Sequence, residues 1–161
     1  DIQRMAGDYQ IAKTALNMPH PYEDGMAEEF IEFTHEMSAN GTRYTFAIEL
    51  AETNTYMGMI GIGPNEQHKH AELGYWIGVP YWNKGYVTEA ARRMLRFGFD
   101  DLGLNRIYAQ HFTNNPASGR VMQKIGMTYE GTMRQHVFRW DNYKDLAMYS
   151  ILRSEYDAQR Q

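Results

Sequence analysis

The chain has no cysteine, and only five of its 161 residues are proline. Without a thiol there is no disulfide, thiolate zinc site, iron–sulfur cluster or cysteine nucleophile. No apolar run approaches the roughly 20 residues of a membrane-spanning helix, and no signal peptide is visible. Basic residues are not in excess: 16 Lys and Arg stand against 20 Asp and Glu, a net charge of −4. A mildly acidic chain without a basic run is a poor partner for nucleic acid or a membrane surface. Neither G-x-x-x-x-G-K-[S/T] nor G-x-G-x-x-G occurs, which argues against a nucleotide-binding domain of either kind. Repeats, low-complexity tracts and linkers are also missing. These absences leave one domain spanning 1–161, expected in the cytoplasm.

What is present is clear periodicity. Ile2, Met5, Tyr9 and Ala12 predict one helix over 1–16, broken by Met18-Pro19-His20-Pro21. Met26, Phe30, Phe33 and Met37 predict a second helix, closed by Asn40-Gly41. The period then becomes two. Tyr44–Leu50 and Tyr56–Ile62 read as a hairpin, with a turn at Gly63-Pro64-Asn65 and a third strand at 71–79. A Gly-containing loop, Tyr81–Val87, leads to a helix that Thr88 is placed to cap. A strand at Arg106–Phe112 follows, then Asn115-Pro116, which mark a helix start, and Gly126, which ends that helix. Met127–Val137 and Tyr143–Leu152 close the pattern as a hairpin. The fold class is α+β with a mixed, mostly antiparallel central sheet flanked by helices. The strand–helix–strand unit at 71–112 supplies one crossover pairing.

Two helix starts carry chemistry. The first, Asn83-Lys84-Gly85-Tyr86-Val87-Thr88, offers unpaired amides, the positive end of a helix dipole, a cation and a glycine. Such a loop suits a pyrophosphate, and it equally serves as an ordinary strand–helix connection. The second, Asn115-Pro116-Ala117-Ser118, spaces two polar side chains three apart. There Asn115 can equally be no more than a cap. His68-Lys69-His70 lacks matching ligand spacing elsewhere, so a polar loop explains it and no metal is expected.

Taken together, Ala71-Glu72-Leu73-Gly74-Tyr75-Trp76-Ile77, Tyr81 to Ala90, Asn115-Pro116-Ala117-Ser118, Lys124-Ile125-Gly126-Met127 and Glu130-Gly131 resemble the GNAT superfamily of N-acetyltransferases. The branch they resemble is the ribosomal-protein N-terminal type (RimJ/RimL-like), over about 44–152. The resemblance implies an acetyl-coenzyme A co-substrate, no metal, and an amine acceptor on a small molecule or a peptide. It implies that the strands 71–79 and 106–112 splay apart. The pantetheine arm would lie between them on the backbone of Ile77 and Val79, and the pyrophosphate on the amides of Asn83 to Thr88. Asn115 would bond the arm, and Ser118 would protonate the departing thiolate. Met18, His20 and Tyr22 would belong to the acceptor-side loop. The phosphate loop departs from the family pattern, with Trp82 at its first place and Val87, expected to narrow the approach, at its last. The family opens with a strand before its first helix. The chain therefore implies either a strand preceding Asp1 or a sheet with one strand fewer. A monomer and a homodimer both fit.

An amine must lose a proton before it attacks, and Glu72 is the candidate base, with Glu49 and Glu130 as alternatives. A solvent-facing Glu at a strand end is the plain reading of the same residue. With no cysteine, direct attack of the amine on the thioester is the economical route. It would be aided by proximity and by a backbone amide near Ile77 or Gly78 for the oxyanion. The competing reading is a non-catalytic acyl-coenzyme A-binding or sensing module of the same fold.

Overall fold

The computed structural model describes residues 1–160. Its order is α1 (Ile2–Ala6), α2 (Tyr9–Thr14), α3 (Met26–Ala39), β1 (Tyr44–Leu50), β2 (Thr55–Asn65), β3 (His70–Ile77), α4 (Tyr86–Arg96), β4 (Arg106–Phe112), α5 (Pro116–Lys124), β5 (Thr128–Arg139), β6 (Asn142–Leu152) and α6 (Arg153–Ala158). The strands form a six-stranded sheet in the order β1-β2-β3-β4-β6-β5. Every neighbouring pair is antiparallel except β3 and β4, which are parallel across the α4 crossover.

That single parallel pair is short. His70, Ala71 and Glu72 pair with Arg106, Ile107 and Tyr108, and there the pairing stops. From that point β3 stays with β2 as far as Ile77↔Gly58, while β4 stays with β6 as far as Phe112↔Leu146. The sheet therefore opens as a V whose closed end is the Glu72–Tyr108 pair. The expected splay is present, and the architecture matches the expected class.

Side-chain alternation divides the sheet into two faces. Leu73, Tyr75 and Ile77 of β3 look toward α4 and α5. Thr88, Ala91, Met94 and Leu95 of α4 are buried. Phe99, Ile62, Ile107 and Ile151 are completely buried beneath these helices. Each contributes about 1.5–3 kcal/mol of transfer free energy. Gly98 is required at this contact, since a β-carbon there would stand 2.6 Å from Ile107 Cδ1. The other face carries His70, Glu72, Gly74 and Trp76, and it is more open.

Several local expectations shift. The single helix over 1–16 is two helices, because the Asp8 carboxylate accepts the Gln10 N–H (2.8 Å) and starts α2 afresh. The turn expected at Gly63-Pro64-Asn65 lies inside β2. The strand expected over 71–79 ends at Ile77, and Val79–Tyr81 form a 3₁₀ turn. Thr88 is not the cap of α4. Gly85, with φ +85°, takes that position, and Thr88 is buried in the first turns. The C-terminal helix α6 has no counterpart in the periodicity analysis.

Candidate functional site

The helix-covered side of the V is built from local sequence. Gly78 N–H donates to Met57 O at 2.8 Å, so Gly78 faces β2. By strand alternation the backbone of Ile77, and of Tyr75 before it, faces the gap. This corrects one expectation: the Gly78 amide is engaged by β2, and of the two proposed oxyanion donors only Ile77 points into the V. The Trp82 indole N–H donates to Ile77 O at 2.8 Å and pins the following loop to the end of β3. Val79 O accepts from Trp82 N at 3.2 Å.

Beyond Trp82, the amides of Asn83, Lys84, Gly85, Tyr86, Val87 and Thr88 meet no backbone acceptor among the described residues. Asn83 and Gly85 both have positive φ (60° and 85°), which curls this run of donors around the α4 N-terminus. A β-carbon at Gly85 would meet nothing within 4 Å, so the glycine is demanded by conformation and not by crowding. Lys84 Nζ stands 5.9 Å from the Tyr81 ring centroid, and Val87 packs against the apolar core.

At the second helix start, Asn115 occupies the cap position of α5 but makes no capping hydrogen bond with its side chain. Its carboxamide is therefore not explained by capping. Tyr75, overlooked in the sequence except as a strand residue, reaches from β3 to α5. Its hydroxyl lies 3.0 Å from Ser118 Oγ and 3.1 Å from Ser118 O. A phenol has one proton, so when it donates to the carbonyl, the serine hydroxyl donates to the phenol. Burial pushes the Tyr75 phenol up to about 12, although the Ser118 hydrogen bond opposes the rise, so it is neutral at physiological pH. His111 supports this corner from below. It is buried, its Nδ1–H donates to Phe112 O at 2.7 Å, and only a glycine at 119 allows α5 to sit on its ring.

The open side is built from distant segments. Glu72 stands on this face at the closed end of the V and forms no ion pair among the described residues. Glu130, the alternative base, is committed elsewhere. Arg106 grips it through two N–H groups (2.5 and 2.7 Å), and Ser150 donates to it as well. The Arg106 and Ser150 hydrogen bonds pull its pKa down to about 2, which removes it from proton acceptance at neutral pH. Glu49 lies on β1 in a groove of about 520 Å³ between β1 and α4, away from the V.

The loop expected on the acceptor side is tied to the far hairpin. Arg139, near the β5–β6 turn, donates to Ala15 O (2.8 Å), Leu16 O (2.6 Å) and Met18 O. Its guanidinium lies 4.6 Å over the Trp140 ring, which stacks on Tyr9, and His20 meets Tyr9 edge-on. Tyr22 faces inward, where burial and then Glu28 raise its pKa. Beside it, Tyr56 has a buried hydroxyl without a partner among the described residues, and its ring meets Trp76 at 6.2 Å. Thus Tyr22 lies on the inner side of the loop, His20 on the outer side, and Met18 contributes its carbonyl. No cluster of three metal-ligating side chains occurs among the described residues. No helix among them is long and apolar enough to cross a membrane.

A family model described as "Acetyltransferase (GNAT) domain" matches residues 1–128. The Bacillus licheniformis protein named "Uncharacterized N-acetyltransferase p20" is 30% identical over 138 residues, covering 84% of this chain and 78% of its own. The crystal structure of a GNAT-family acetyltransferase from Bacillus anthracis superposes with a TM-score of 0.83 at 28% identity, covering 94% of this chain and 87% of that one. Spermidine N-acetyltransferase from Vibrio cholerae, solved in complex with CoA and spermine, superposes with a TM-score of 0.82. That match covers 96% of this chain and 89% of the other, and at 24% identity it shows the fold alone.

Proposed function

The chain belongs to the GNAT acetyltransferase family, and from that premise we propose that it moves an acetyl group from acetyl-coenzyme A directly to a primary amine, at the closed end of the V. The acceptor class is a small-molecule amine or a protein N-terminus, and the motif pattern favours the RimJ/RimL-like branch. The observation that carries this reading is where the β3–β4 pairing ends. Strand separation directly after Glu72 leaves an open backbone edge on β3, and an extended arm laid along such an edge behaves as an added strand. Its reactive end would then stop beside Glu72.

In this reading the pyrophosphate rests on the amides of Asn83 to Thr88, with Lys84 adding charge. The arm bonds the backbone of Ile77 and the carboxamide of Asn115. Glu72 takes a proton from the bound ammonium on the open face. The amine nitrogen attacks the thioester carbon, and the Tyr75 amide, which faces the gap on the Glu72 side of Ile77, is the nearer candidate for the developing oxyanion. As the carbon–sulfur bond breaks, Ser118 passes a proton to the thiolate and regains one from the proton that the attacking nitrogen sheds, while Tyr75 holds that hydroxyl in place. Base and acid thus stand on opposite faces of the sheet, with the thioester between them in the gap.

The test is release of free thiol from acetyl-coenzyme A in the presence of a panel of amines. Acceptor-dependent release is expected. Tight donor binding with no release for any amine would support the non-catalytic module instead.

A further inference from the structure

Resting on that reading, we propose that the open face carries an oxyanion subsite made by Arg43 and Thr45, and that the acceptor is a free α-amino acid or a close amino-carboxylate analogue. Arg43 ends the short connection between α3 and β1, directly before Tyr44, and its side chain crosses to the neighbouring strands. A β-carbon at Gly61 or Gly74 would stand 3.2 Å from its Nη2, and one at Gly63 would stand 3.2 Å from its Nη1. Gly61 pairs with Gly74 in register, and Gly63 pairs with Glu72. The guanidinium therefore lies in a depression that any larger residue would crowd. The same Gly61 position is 3.1 Å from Thr45 Oγ1, so a second donor converges on it.

The charges here are arranged unusually. Glu72 is directly opposite Gly63, next to the guanidinium, yet Arg43 and Glu72 form no ion pair within 4.0 Å, and neither has another partner among the described residues. On the same face Arg106 shows the alternative: it grips Glu130 through both terminal nitrogens. An unpaired carboxylate beside an unpaired guanidinium, on a glycine floor, is complementary to a molecule that brings an ammonium and a carboxylate together. The ammonium would meet Glu72, where the proton must leave, and the carboxylate would meet the Arg43 fork. A polyamine would set a cation against Arg43, and a peptide N-terminus has no carboxylate at that reach.

The test compares thiol release with free L-amino acids, the matching amino-acid amides, and spermidine. At least one free acid is expected to exceed its own amide about tenfold or more in kcat/KM, the scale of one charge-assisted contact. Arg43→Gln should bring that ratio close to one through the KM of the acid, with acetyl-coenzyme A affinity by calorimetry unchanged. Gly74→Ala, which displaces the guanidinium without altering Arg43, should do the same and serves if the first variant folds poorly. Equal rates for acid and amide, a preference for spermidine, or an unchanged ratio in both variants would overturn the subsite and leave the acetyltransferase reading standing. No release with any amine, despite donor binding, would overturn both.

Discussion

The two sides of the V are assembled in different ways. On the helix-covered side, the Tyr75–Ser118 contact apart, the parts come from short stretches of chain. The loop amides from Asn83 to Thr88 follow one another, and Trp82 fixes the loop to Ile77 five residues back. On the open side Arg139 bonds carbonyls more than a hundred residues away, and Arg43 lies over glycines of two other strands. Backbone donors in a helix start are set by local conformation and tolerate changes of side chain. Side chains that meet across the fold can be exchanged without disturbing that backbone. The difference teaches that, under the proposed function, donor binding and acceptor choice should be separable and substitutions should sort by side.

The largest expected effect lies on the open side. Glu72→Gln should lower kcat by about 10²–10⁴-fold, the range for losing a general base, with the donor Kd unchanged. A change in donor Kd instead would erase the division between the sides. Next is Arg139→Ala, which leaves the Ala15, Leu16 and Met18 carbonyls without their donor and frees the loop proposed to face the acceptor. It should raise the acceptor KM about tenfold, and calorimetry with acetyl-coenzyme A should show no change.

Gly85→Val tests the other side. A branched residue at φ +85° costs about 1–2 kcal/mol or pulls the amides out of line, so donor affinity should fall about tenfold while the acceptor KM stays. Tyr75→Phe should be milder, a few-fold in kcat, because it removes one neutral hydrogen bond to Ser118 and keeps the ring.

The smallest effect concerns stability and neither substrate. Glu130 titrates near 2 when folded against an ordinary value of 4.5, so its contribution is complete above about pH 4.5 and is lost as pH falls toward 2. Glu130→Gln should flatten the acid-unfolding curve in that window and leave neutral-pH kinetics unchanged. A kinetic defect at neutral pH would return Glu130 to the list of bases.

The helix-covered side was legible in the sequence because its signals are local. The alternation of residues 71–77, the glycine of the loop and Asn115-Pro116 all lie within one element and its neighbour. The element order was legible as well, although the restart at Asp8, the cap at Gly85 and the whole of α6 were not. Gly85 escaped because Thr88 is also a good capping residue by type, and only the backbone angle decides between them. The open side was mostly out of reach. Nothing in Arg139 points to Ala15, and even on the helix-covered side nothing local in Tyr75 points to Ser118, 43 residues on. Gly63 reads as part of a turn, and nothing local in Gly61 or Gly74 points to the register that sets them side by side under one guanidinium. Nothing in the sequence around Glu130 shows that Arg106 holds it.

The central claim is that the gap beyond the Glu72–Tyr108 pair receives the donor. Backbone amide exchange measured with and without coenzyme A tests it most directly. Protection is expected to appear at Tyr75, Ile77 and the amides from 83 to 88. Protection confined to 46–52 on β1, beside the groove against α4, with the V left unchanged, would contradict it.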